Sequence, residues 1–180
     1  MVYVAFLRAI NVGGNSIVSM AAIKEALAEL GLSDVRTHIN SGNVIFSTRA
    51  SAGPKLGARI EKALQERTGM PIKVLVMDHK ALKKLVGAIP LNWVDDKTMR
   101  TYVLLLWKEL DDPKIFEWLP VRPGVDNVRY APGAVIWQVD RKDIAKSRMT
   151  RLVGTPNYKL MTIRSANTMR KLNELTGAGA

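Results

Sequence analysis

The sequence contains no cysteine and only two histidines, and no apolar run approaches the roughly 20 residues a membrane-spanning helix needs. Without cysteine, disulfides and thiolate metal sites are excluded, which fits a reducing compartment. The opening MVYVAFLRAI is too short an apolar run for a signal peptide and lacks a basic start. These absences predict a cytoplasmic protein with no membrane partner. Acidic residues are also few, 16 against 27 Lys and Arg, for a net charge of +11 and a pI near 10.1. Such a balance attracts anions, nucleic acid among them, but clustering matters more than the sum. Residues 1–90 carry 12 basic and 6 acidic groups and residues 91–180 carry 15 and 10, so the excess is spread. Only residues 140–180 concentrate it, with nine basic groups against Asp140, Asp143 and Glu174.

What is present suits an ordinary globular chain. Its 180 residues, 47% hydrophobic and 24% charged, suffice for one domain or two small ones with a real core. The apolar, β-branched VYVAFLR (2–8) reads as a buried strand. Met20, Ile23, Leu27 and Leu30 recur at helical spacing, with Ser19 placed as N-cap and Gly31 as the stop. VRTHIN (35–40) alternates, and the Ser41-Gly42 turn leads into NVIFS (43–47), giving a hairpin. Residues 54–68 carry Leu56, Ile60, Ala63 and Leu64 on one face, ended by Gly69-Met70-Pro71, and a strand follows over 72–77. The order is βαββαβ.

The pattern recurs. Asp78 is placed to cap a helix through Val86 with Leu82 and Leu85 inward, and TYVLLLW (101–107) reads as a strand. DDPKIFEWL reads as a short helix, and Pro132-Gly133 as a type II turn between two strands. A helix over 143–153, a strand near 160–163 and a helix over 165–175 complete the chain. The expected fold class is therefore α+β: two similar ferredoxin-like subdomains, each followed by an extra helix. The first spans 1–77; residues 78–180 hold a linking helix and the second.

Chemistry-bearing stretches are sparse. Gly13-Gly14 lacks the lysine and spacing of a P-loop and the third glycine of a dinucleotide fingerprint. It serves either as a nest of backbone N–H groups for an anion, helped by Arg8 and Asn11, or only as a positive-φ turn. The plainer reading is the second, so residues 11–18 are expected to form an ordered loop near the SGN hairpin. Asn40 and Asn43 flank the Ser-Gly turn, where such side chains usually bond their own backbone. Toward the C-terminus, Lys146, Ser147, Arg148, Thr150, Arg164, Asn167 and Thr168 offer donors for an oxyanion, and some also suit helix caps. His38 and His79 are isolated, and no H-E-x-x-H, paired-carboxylate or G-x-S-x-G pattern accompanies them, so neither metal nor cofactor is expected. Asp95-Asp96 and Asp111-Asp112 read as loop and cap residues, and the four tryptophans as core. An RNA-recognition platform is half present at most: VYVAFL resembles its first strand, but SGNVIFS offers Phe46 alone for stacking.

Taken together, FLRAINVGG, Met20, HINSGNVIF, AKSRMT and IRSANTMRKL resemble a widespread, mostly bacterial family of unknown function, whose members carry LLRGINVGG and YIQSGNVVF. The resemblance implies two similar ferredoxin-like subdomains and no established activity. By position it carries over Arg8, Asn11, Gly13 and Gly14; Ser41, Gly42 and Asn43; and Lys146, Thr150, Arg164, Asn167 and Thr168 as motif residues. Ala9 stands where the family favours glycine, Ala166 where it favours tryptophan, and Ser19 where proline is common. The expected function is non-catalytic binding of an anionic, phosphorylated or nucleotide-like small molecule. The alternative is sequence-tolerant nucleic-acid binding through the basic C-terminal surface, and an enzyme with an unrecognised site stands third.

Overall fold

In a computed structural model the described residues are 1–8, 18–39, 42–49 and 54–178. The elements follow in the order β1 (Val2–Leu7), α1 (Met20–Glu29), β2 (Ser33–His38), β3 (Asn43–Ser47), α2 (Pro54–Thr68), β4 (Val74–Asp78) and α3 (His79–Gly87). Next come β5 (Met99–Leu106), β6 (Asp126–Ala131), β7 (Ala134–Asp140), β8 (Met161–Ser165) and α4 (Ala166–Gly177). The strands form two four-stranded antiparallel sheets with orders β2-β3-β1-β4 and β6-β7-β5-β8. In each, the first strand is separated from the second by the third, so the connection between them crosses a neighbour. The fold is α+β with two similar halves. Two compact units result, one of Met1–Leu82 with Leu172–Ala180, the other of Lys83–Lys171.

In the first unit the periodicities read from the sequence find their partners. Tyr3, Ala5 and Leu7 of β1 and Val44 and Phe46 of β3 meet Ile23 and Leu27 of α1 and Leu56, Ile60 and Leu64 of α2. Tyr3 pairs with Phe46 across the strands, and their rings stack at 5.7 Å. Val4 and Phe6, on the other face of β1, are also buried, which is why VYVAFL reads as a continuous apolar run. Ser19 caps α1 by accepting from Ala22 N at 3.0 Å, and Gly31 leaves the helix at φ 75°. Glu61 stitches α2 to the sheet, its carboxylate accepting from Val74 N at 2.9 Å. Gly57 makes that approach close: a Cβ there would stand 3.1 Å from Val74 O. Asp78 caps α3 through Ala81 N at 2.7 Å.

The second unit keeps the strand order and changes the connections. Its core joins Leu104 and Leu106 of β5 and Val135 and Trp137 of β7 to Ile115, Leu119, Leu152 and Met161. The helix expected over 143–153 is not formed: 3-10 turns at Arg141–Asp143 and Met149–Leu152 stand there instead. DDPKIFEWL likewise gives only the 3-10 turn Pro113–Glu117. Neither Pro113–Glu117 nor Met149–Leu152 can extend: Pro120 and Pro123 stand just beyond the first, and Gly154 (φ 87°) and Pro156 just beyond the second. The β6–β7 turn is as expected, with Gly133 at φ 87° following Pro132. Boundaries also moved, β2 to 33–38 and β4 to 74–78, where the sequence suggested 35–40 and 72–77. The loop expected over 11–18, with Asn11, Gly13 and Gly14, lies outside the described residues except for Val18, which is buried in the first core. Asn40 and Ser41 also lie outside them.

Candidate functional site

The segment between α3 and β5 has no ladder to satisfy its backbone, so other groups must. Four consecutive carbonyls are each met by a side chain from elsewhere in the second unit. Arg170 Nη2 donates to Trp93 O at 3.0 Å, Thr101 Oγ1 to Val94 O at 2.6 Å, Asn167 Nδ2 to Asp95 O at 2.7 Å and Arg141 Nε to Asp96 O at 2.5 Å. Asp96 closes the loop from within, its Oδ1 accepting from Thr98 N (2.7 Å), Thr98 Oγ1 (2.8 Å) and Met99 N (2.9 Å). The Met99 and Thr98 amides hold its carboxyl below the ordinary value. The result is a fixed polar loop delivering the chain into β5.

A cleft of about 570 Å³ opens beside it, lined by Asp95, Asp96, Lys97, Arg100, Arg141 and Asn167. Its cations and its carboxylates are in different situations. The Asp95 side chain is 6% exposed, whereas those of Arg100 and Arg141 are 34% and 38% exposed. Asp95 Oδ1 lies 3.7 Å from Arg100 Nη1 and 3.5 Å from Arg141 Nη2, longer than the 2.7–2.9 Å of a strong charge-assisted bond. Arg100 rests over the Tyr102 ring, 5.2 Å from guanidinium carbon to centroid. Contact with Tyr102 raises its pKa above the ordinary value, so its charge is permanent at neutral pH. Arg141 is anchored by its Nε, which leaves Nη1 free of any protein hydrogen bond among the described residues. The cleft thus offers guanidinium donors and an ammonium, while the Asp96 carboxylate closes its own loop and that of Asp95 is nearly buried beside the two arginines.

Of the candidate ligand-binding residues read from the sequence, Asn167 alone borders this cleft among those described. Lys146 Nζ contacts Asp143 at 2.6 Å, and its carbonyl accepts from Arg122 Nη1 at 3.2 Å. Thr150 sits exposed in the 3-10 turn Met149–Leu152, its carbonyl closing the turn through Val153 N. Arg164 is buried on β8, where desolvation lowers its pKa to about 10; Nη1 donates to Thr162 Oγ1 (2.9 Å) and Ile163 O (2.8 Å). Thr168 joins the start of α4, its N donating to Ser165 Oγ at 3.1 Å. In the first unit Asn43 is buried and ties the hairpin together through His38 O at 3.1 Å, and Arg8 N donates to Lys73 O at 2.8 Å. From the sequence, Asp95 and Asp96 read only as loop and cap residues and Arg141 only as one of the basic groups of 140–180, while Lys97 and Arg100 do not stand out. Residues 93–100 (WVDDKTMR) hold two acids and two bases, so their charge sums to zero and leaves no trace in a running average.

The chain matches the model of a family described as "Protein of unknown function (DUF1697)" over residues 1–137. It belongs to that family. The match takes in the first sheet and the loop at 93–100, and ends before Arg141 and Asn167. Over the whole fold, the DUF1697 chain is similar to a conserved bacterial protein from Streptococcus pneumoniae, at 24% identity and a TM-score of 0.82. That likeness covers 97% of this chain and 98% of the other and is one of fold. No curated protein matches the chain.

Proposed function

We propose that the chain binds an anionic small ligand, phosphorylated or nucleotide-like, in the cleft beside residues 93–100, without catalysing a reaction there. One observation supports this above others: Arg100 and Arg141 are each about one-third exposed at the cleft while Asp95 between them is nearly buried. Exposed, oriented guanidiniums pair with the oxygens of phosphate in forked geometry, which a lone lysine cannot do. The cleft volume lies within the 300–1,000 Å³ usual for small-molecule sites. The basic C-terminal stretch, by contrast, has spent much of its charge. Lys142 pairs with Asp140 at 2.9 Å, Lys146 with Asp143, Arg164 is buried and Arg170 holds the Trp93 carbonyl.

A thermal-shift screen of phosphorylated metabolites, nucleotides and short oligonucleotides tests the reading. A ligand at 100 times its dissociation constant adds about 2.7 kcal/mol to folded stability, a clear rise in melting temperature. The rise should vanish in Arg141→Ala and remain in Lys146→Ala. Stabilisation by oligonucleotides alone, falling steeply with salt, would instead support nucleic-acid binding.

A further inference from the structure

We propose that Asp95 limits the affinity of this cleft, its carboxylate acting as a built-in competitor for the two guanidiniums that take the ligand. The inference rests on the anion-binding reading above and goes beyond it by naming what sets the strength of the site. The arrangement of donors also selects the ligand chemistry. Two guanidiniums and Lys97 border one cleft, and a tetrahedral oxyanion has enough oxygens to meet them together, whereas a carboxylate has two and is filled by one arginine. The ligand class is therefore a tetrahedral oxyanion, of which phosphate is the probe.

A carboxylate beside two arginines ordinarily serves to hold them. Here both are held by other means. Arg141 is fixed through Nε on the Asp96 carbonyl, and Arg100 lies over the Tyr102 ring. Asp95 reaches them only at 3.5 and 3.7 Å, and its own position is set through its backbone, by Asn167 on its carbonyl. Removing its charge thus leaves the guanidiniums in place. What it does change is the field. An anion bound to the same two guanidiniums lies within several ångströms of the Asp95 carboxylate, and like charges at that range repel appreciably even at the high effective dielectric of a protein surface. The local sum of Arg100, Arg141 and Asp95 rises from +1 to +2 when Asp95 is neutral. Asparagine keeps an oxygen to accept from Arg141 Nη2, so the loop geometry survives the exchange.

The test is a calorimetric titration of inorganic phosphate, at fixed ionic strength, into the wild type, Asp95→Asn and Asp95→Ser. The two variants should bind phosphate about tenfold more tightly than the wild type, with Arg100→Ala binding more weakly. Unchanged or weaker binding in both Asp95 variants, with the wild type binding, would overturn the competitor role and leave the anion site standing. Loss of the folded far-ultraviolet spectrum in both would overturn it too, because the carboxylate would then be a structural tie. No phosphate binding by any of the proteins would sink the anion reading itself.

Discussion

In the first unit the connections β1–β2 and β3–β4 each carry an α-helix, α1 of 10 residues and α2 of 15. In the second unit the matching connections carry only 3-10 turns of three to five residues, yet the strand order is the same. The sheet order therefore does not depend on helical crossovers. It needs a connection long enough to cross one strand and apolar side chains to cover the sheet. Ile115 and Leu152 supply that cover from 3-10 turns in the second unit, as Leu27 and Ile60 do from helices in the first. The difference also bears on function. Irregular backbone must be satisfied by side chains, and the second unit is where Asn167, Arg141, Arg170 and Thr101 converge on the carbonyls of 93–96.

The contrast between the units should be largest in their cores. With only 3-10 turns in its β5–β6 and β7–β8 connections, the second unit leans on Trp137, buried and donating Nε1 to Asp126 Oδ1 at 3.0 Å. Trp137→Ala should cost about 4 kcal/mol in urea unfolding, counting the cavity and the lost partner of Asp126 Oδ1, whose Oδ2 still accepts from Arg122 N at 2.8 Å. Leu27→Ala, which removes a contact between α1 and the first sheet, should cost about 3 kcal/mol. A reversed order of the two losses would show that helical cover, not the large aromatic, is the scarcer resource.

Caps sharpen the contrast on a smaller scale. Ser19→Ala removes a 3.0 Å N-cap bond from a true helix and should cost about 1 kcal/mol. Thr155→Ala removes the 3.3 Å bond to Tyr158 N at the 3-10 turn Pro156–Leu160, together with the 2.8 Å bond that Thr155 Oγ1 donates to Leu152 O. It should still cost less than Ser19→Ala in the same assay, because a single 3-10 turn propagates no longer helix. Equal losses would mean that the short turns are as cooperative as the helices. The smallest effect is one of pH. Because Asp96 titrates below its ordinary 3.8 when folded, its contribution is complete above that value and is lost as pH falls through the lower folded-state value. Hydrogen exchange at the Met99 amide should quicken, relative to its intrinsic rate, only in that acid window.

Much of the first unit was legible because each local signal agreed with the packing. Ser19, Gly31 and Asp78 mark real helix boundaries, and the apolar stripe of 54–68 faces the sheet. The helix over 143–153 failed for a physical reason: Ile144, Met149, Leu152 and Val153 mimic a helical stripe, but Ile144 and Val153 are exposed at 41% and 65%, and Gly154 ends the run. The cleft was illegible for another. Its residues come from 95–100, from 141 and from 167, brought together by the β5–β7 and β5–β8 ladders, and no spacing along the chain records that. Trp118, expected in the core, is 37% exposed at the end of its 3-10 turn.

Amide chemical-shift mapping during a phosphate titration tests the cleft of the second unit most directly. Resonances of residues 95–100, 141 and 167 should move together and saturate along one binding curve. Saturating shifts confined to 146–159, or to Arg8 and its neighbours in the first unit, would contradict it.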